Sequence, residues 1–144
     1  MSRVFHIKAS LGLVCALALA AAACGNDSST TAPTTPTATA GTDSITGTLA
    51  PGGVLFHNFT ASAAGTVNVT LTTTDPSGAL VGLAIGVPGA NTGSCDLTKT
   101  VQTRSGTAAQ LSASVEAGDY CAGTYDIGGL PKAGVLVIYT VAHP

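Results

Sequence analysis

Apolar residues alternate with polar or small residues in several segments of this chain after residue 44. In GTVNVTLTT, Val67, Val69 and Leu71 share one side of an extended strand, and Thr and Asn occupy the other. The same spacing recurs in two further segments, at Val81, Leu83, Ile85 and Val87 and at Ala109, Leu111, Ala113 and Val115. Since neighbouring side chains of a strand point to opposite faces, this period of two predicts strands with one buried face.

Turn sequences separate these strands at short, regular intervals. Examples are Pro51-Gly52-Gly53, Asp75-Pro76-Ser77-Gly78 and Ala117-Gly118-Asp119. A run that is apolar on both faces, GVLVIYTVA, indicates a central or doubly covered strand. With shorter runs near SITGTLA, VLFHNFT, KTVQT and DYCAGTYDI, about eight strands are expected. The pattern predicts an all-β domain over 44–144, an antiparallel sandwich or barrel.

The N-terminus carries an export signal. Arg3 and Lys8 precede a short apolar run at 9–23, a pattern typical of a signal peptide over 1–23. The residues Ala21-Ala22-Ala23-Cys24-Gly25 resemble a bacterial lipobox, although Ala21 stands where that motif favours Leu. The resemblance implies that Cys24 is lipidated and anchors the chain at the bacterial cell envelope, by analogy at the outer membrane. The alternative is an ordinary signal peptide.

A Ser/Thr/Pro-rich segment links Cys24 to the β domain. Residues 25–43 contain no large apolar side chain, so we expect a disordered linker over 24–43. A linker of this kind spans roughly 25 Å or more. A glycosylated stalk is the other interpretation of the Thr-rich run.

Two of the four cysteines remain for the domain. Cys15 leaves with the signal peptide and Cys24 carries lipid, which leaves Cys95 and Cys121. Since exported proteins fold in an oxidising compartment, we predict a Cys95–Cys121 disulfide. A zinc site is disfavoured because His57 and His143 are far from both cysteines in sequence.

Charge is too sparse for nucleic-acid binding. After signal cleavage three basic residues, Lys99, Arg104 and Lys132, remain against seven acidic ones, a net charge near −4. Such a surface cannot neutralise a phosphate backbone. The many Thr and Ser residues are similar to those of extracellular β domains that bind carbohydrates or other proteins.

Two segments resemble the bacterial pre-peptidase C-terminal domain. The residues that carry the resemblance are Phe59, Gly65, Val67, Val69 and Leu71 in the first segment and Gly118, Tyr120, Tyr125 and Asp126 in the second. The resemblance implies a jelly-roll-like β-sandwich with a binding role. It also turns Tyr120 inward, which would place Cys121, and with it the disulfide, on the outer face of its sheet.

Catalytic and metal-binding groups are few. His57 shares a face with Leu55 and Phe59 and is interpreted as structural, and no G-x-S-x-G nucleophile motif is present. Four carboxylates are weak calcium candidates, namely Asp96, Glu116, Asp119 and Asp126. We interpret them as turn residues, and we expect no metal and no cofactor. Tyr125 is the aromatic residue most suited to contact a ligand.

These features predict a non-catalytic, lipid-anchored β-sandwich that binds a protein or carbohydrate ligand at the cell envelope. One alternative is a structural component of the cell surface that assembles with copies of itself. A more remote alternative is a small envelope hydrolase.

Overall fold

A computed structural model describes residues 39–144, which form eight β-strands and no helix. The strands are β1 (Gly41–Leu49), β2 (Val54–Ala61), β3 (Gly65–Asp75), β4 (Val81–Pro88), β5 (Cys95–Thr103), β6 (Leu111–Val115), β7 (Gly118–Tyr125) and β8 (Val135–His143). The predicted signal peptide, Cys24 and most of the predicted linker lie outside the described residues. Within residues 39–144 there is no helix long and apolar enough to span a bilayer.

The strands form two four-stranded antiparallel sheets. Their orders are β1-β8-β3-β6 and β2-β7-β4-β5, here called sheet A and sheet B. Every connection except β4–β5 crosses from one sheet to the other, which gives the strand order of a jelly roll. The predicted antiparallel jelly-roll-like β-sandwich of about eight strands is therefore confirmed.

Alternate side chains of both sheets fill the space between them. In β3, Val67, Val69 and Leu71 are completely buried, as their spacing predicts. Tyr139 of β8 is also completely buried, and its hydroxyl donates a hydrogen bond of 3.1 Å to the Leu55 carbonyl of the opposite sheet. Burial raises the pKa of Tyr139 above its usual value. A buried side chain of sheet A is thus bonded to the backbone of sheet B.

Three expectations from the sequence are wrong. The spacing predicts Ala109 on a buried face, but it is exposed and precedes β6, which begins at Leu111. Composition predicts a linker over 24–43, but β1 begins at Gly41, because the backbone of 41–43 pairs with 141–143 of β8. Composition does not reveal such pairing. Val87 was placed on the buried face, but it is exposed because it lies beyond Gly86, the last residue of β4 that pairs with β7.

Candidate functional site

A cleft opens at the end of the sandwich where the loops that follow β3, β5 and β7 meet. Its volume is about 370 Å³, within the range of about 300–1,000 Å³ for small-molecule sites. Segments 76–80 and 127–131 form its walls, together with Arg104 and Val135. We call it the loop-end cleft. Most of its side chains are apolar, and Leu80 is exposed.

Asp126 fixes one wall of the loop-end cleft. Its carboxylate accepts hydrogen bonds from the Gly128 N–H at 2.8 Å and from the Gly52 N–H at 2.7 Å. Its own N–H donates to the Gly53 carbonyl at 3.0 Å. Gly128 and Gly129 have φ values of 91° and 107°, which favour glycine. Side-chain and backbone bonds therefore hold this wall in shape without a ligand.

Among the described residues 39–144, Arg104 is the only cation that lines the cleft. Its guanidinium donates a hydrogen bond to the Gly78 carbonyl of the opposite wall, and its side chain is exposed. Within residues 39–144, no carboxylate lies within 4.0 Å of its nitrogens. A guanidinium has five N–H donors in a fork that matches a carboxylate or phosphate. Donors remain for an anionic group of a ligand.

The cleft is chemically suited to binding. None of its lining residues is a histidine, cysteine, aspartate or glutamate. Apolar walls can hold an apolar or ring-shaped part of a ligand, while Arg104 and the loop backbone groups orient its polar part. A lining of this kind is typical of small-molecule sites, in which a few polar groups orient a ligand.

The Cys95–Cys121 disulfide is present, as predicted, with its Cα atoms 5.9 Å apart. Tyr120 and Ala122 pack against the apolar cluster between the sheets, and Cys121 does not belong to that cluster. Cys121 therefore points to the outer face of sheet B, where it is completely buried. The bridge joins β5 to β7 across the intervening β4. It lies far along the strands from the loop-end cleft.

Tyr125 lies on the outer face of sheet B and is half-buried. It pairs with Gly82 of β4, and a Cβ atom on Gly82 would overlap the Tyr125 ring. Part of the ring surface is therefore used in packing against Gly82. The side chain is not among the residues that line the loop-end cleft, so a ligand contact by Tyr125 remains a prediction on a separate surface.

The four carboxylates considered for calcium are dispersed. Asp119 accepts a hydrogen bond of 2.7 Å from the Thr60 hydroxyl, and Asp126 lies near the other end of β7. Asp96 is in β5, and the backbone carbonyl of Glu116 accepts a bond from Tyr120. In the part of the chain that the structure describes, no three His, Cys, Asp or Glu residues are grouped to hold a metal ion.

The structure brings His57 and His143 together around Asp43. The Asp43 Oδ2 atom lies 2.9 Å from His57 Nε2 and 3.5 Å from His143 Nε2. The His143 ring stacks on Phe59 with ring centroids 5.0 Å apart. In residues 39–144, no hydroxyl forms a hydrogen bond with either imidazole. The group fastens the β1 edge of sheet A to β2 of sheet B.

Replacing His57 by glutamine should lower the free energy of unfolding by about 1 kcal/mol, because His57 and Asp43 are partly solvated. Urea unfolding of the wild type, His57→Gln, Asp43→Asn and the double variant measures the coupling between the two side chains. The double variant should lose less than the sum of the two single losses. Additive losses, or a hydrolytic activity that disappears with His57→Gln, would contradict a structural role.

Sequence reasoning missed Asp43 and Arg104. The composition around Asp43 predicts a linker, and in the sequence Arg104 is one of three cations that follow the predicted signal peptide. Arg104 had one usable signal, because it is the only arginine after the predicted signal peptide. Its convergence with Gly78 and Gly128 depends on tertiary folding, since the three residues come from different loops.

Comparison of the chain with protein-family models, curated proteins and solved structures found no match.

Proposed function

We propose that this chain is a non-catalytic binding module, held at the bacterial cell envelope by lipidated Cys24. The loop-end cleft is its site for a protein or carbohydrate ligand. The observation that carries the proposal is the cleft itself, a hollow of about 370 Å³ whose walls combine apolar side chains with exposed backbone groups. Its one cation within residues 39–144, Arg104, has no carboxylate partner there. Pockets with a few convergent polar groups are the usual location of ligand sites.

Arg104 narrows the chemistry of the ligand. A guanidinium without a carboxylate partner favours an acidic group, and the apolar walls favour a compact apolar part beside it. An acidic carbohydrate and the carboxyl end of a peptide both offer this combination. The resemblance of 56–71 and 114–129 to the pre-peptidase C-terminal domain also supports a binding role.

Binding of such ligands should depend on Arg104. The probe is an array of acidic oligosaccharides, their neutral counterparts, and short peptides with free or amidated carboxyl ends. We expect the full-length protein to retain members with a free carboxylate. Arg104→Gln should weaken this binding at least about tenfold, because a hydrogen bond to a charged group contributes roughly 1.5–3 kcal/mol.

Two variants serve as controls for the effect of removing the charge of Arg104. Arg104→Lys keeps the charge and should retain part of the affinity, and Lys99→Gln removes a charge outside the cleft and should retain all of it. Thermal unfolding identifies any variant whose fold is damaged. If the array binds nothing, or if folded Arg104→Gln binds as well as the wild type, the proposed site is wrong.

The alternatives predict different results. A small envelope hydrolase would release product from envelope polymers, and the cleft lining offers no acid, base or nucleophile for that reaction apart from the Ser77 hydroxyl. A self-assembling surface component would associate with copies of itself. The free edge of β1, which is separate from the cleft, favours self-association as a property that the chain has in addition to ligand binding.

A further inference from the structure

The outer edge of β1 is open to pairing. Each sheet has two edge strands, which are β1 and β6 in sheet A and β2 and β5 in sheet B. Exposed strand edges are usually protected by bulges, lysines, prolines, short length or inward-pointing charges, and the one charge in β1, Asp43, is hydrogen-bonded to His57. β5 has a register irregularity and Lys99, and β6 has only five residues. β1 has nine residues, no proline or lysine, and an unbroken register with β8.

The outward side chains of β1 are symmetric about Ile45. Thr42, Ser44, Thr46 and Thr48 are exposed on the outer face of sheet A. In an antiparallel pair of two β1 strands centred on Ile45, Thr42 lies opposite Thr48 and Ser44 lies opposite Thr46. Threonine and serine pairs across strands are favourable because their hydroxyls can hydrogen-bond. β2 has no such symmetry, since the same operation places Val54 opposite Thr60.

The inward side chains of β1 also fit this register. Asp43 lies opposite Gly47 of the other copy, so the two carboxylates do not face each other. Asp43 is already hydrogen-bonded to His57 at 2.9 Å. Ile45, which packs against the core, lies opposite itself on the two-fold axis. Like charges directly opposite would be unfavourable, and this register has none.

We propose that β1 pairs with β1 of a second copy of this chain, antiparallel and about a two-fold axis at Ile45. Two sheets A would then join into one continuous sheet of eight strands. An isologous interface of this kind closes after two copies. The pairing goes beyond ligand binding in the loop-end cleft. Because anchored copies share one membrane, their effective concentration is high enough for a short interface to be used.

Cysteine cross-linking reads the register directly. Differently tagged full-length chains with Ser44→Cys and Thr46→Cys are expressed together, and their membranes are oxidised with copper phenanthroline. Opposite residues of an antiparallel pair have Cα atoms about 4.5–5.5 Å apart. The same residue in the two copies is displaced by two positions, so its two Cα atoms are about 8 Å apart. This exceeds the limit of about 7 Å for a disulfide. We expect the mixed pair to cross-link and each variant alone to remain uncross-linked, like the wild type.

Charge variants test the same contact without cysteines. Ser44→Lys/Thr46→Lys places lysines opposite lysines and should reduce the size of the purified protein from dimer to monomer in sedimentation. Ser44→Lys/Thr46→Glu places each lysine opposite a glutamate and should preserve the dimer. Thr100→Lys/Gln102→Lys, with the same spacing on β5, should also preserve it.

Three outcomes would overturn the pairing: no cross-link in the mixed pair, equal cross-linking of all combinations, or an adduct with a different protein. A folded Ser44→Lys/Thr46→Lys variant that remains dimeric would do the same. The outcome is separable from that of the ligand proposal, because Ser44→Cys and Thr46→Cys chains that also carry Arg104→Gln should cross-link as fully as the mixed pair without it.

Discussion

Replacing Gly123 by alanine is expected to lower the free energy of unfolding by about 3 kcal/mol or more, at the upper end of the effects of overpacking. Gly123 is buried in β7, directly opposite Phe56 of β2. A Cβ atom there would overlap the Leu55 carbonyl oxygen and would lie 2.8 Å from both the Cα and the Cδ1 of Phe56. The clash involves backbone, so no side-chain rotation removes it.

The Leu55 carbonyl is also fixed from the opposite side. It accepts the hydrogen bond of the buried Tyr139 hydroxyl, so a shift away from residue 123 would leave that hydroxyl with only a longer contact of 3.5 Å to Ala122. The result of Gly123→Ala should therefore be loss of sheet packing at the β2–β7 pair.

Thr124, the next residue, provides a control whose substitution should not lower the free energy of unfolding. Thr124 is completely buried, and its hydroxyl has no hydrogen-bond partner within residues 39–144. Thr124→Val removes this unpaired hydroxyl at nearly constant volume, so stability should be unchanged or higher. Guanidinium unfolding of both variants measures the difference. Equal stability of Gly123→Ala and the wild type would show that β2 and β7 are not packed as described.

Local periodicity predicted the strands and the direction of their side chains. The spacing of Val67, Val69 and Leu71 determines which face of β3 is buried, and the inward position of Tyr120 determines the outward position of Cys121. These are properties of neighbours in sequence, since a strand alternates every residue.

Features that join distant segments could not be predicted in this way. Asp43 is in a segment with linker composition, and only the pairing of β1 with β8 brings it to His57 and His143. The loop-end cleft likewise requires the jelly-roll connections to bring Arg104 to Gly78. Val87 shows the reverse limit, because its alternation is regular but the pairing of β4 with β7 stops at Gly86, one residue before it.

Replacing Cys24 by serine should detach the chain from the membrane or leave it unprocessed. Serine cannot form the thioether that holds the diacylglyceryl group. One acyl chain gives only marginal binding, whereas two or more give stable anchoring, at about 0.8 kcal/mol per buried methylene. The lipidated fraction should fall from nearly all of the protein to background, whether the chain is released or keeps its signal peptide. Cys15→Ser is the matched control, because Cys15 lies within the predicted signal peptide.

Metabolic labelling with an alkyne fatty acid tests this anchor most directly, and the proposed envelope role depends on it. Wild type, Cys15→Ser and Cys24→Ser chains are labelled in the same bacterial host, purified, and coupled to a fluorophore. We predict a labelled wild type, an equally labelled Cys15→Ser chain and an unlabelled Cys24→Ser chain. Equal label in wild type and Cys24→Ser, or none in the wild type, would contradict a lipid-anchored protein.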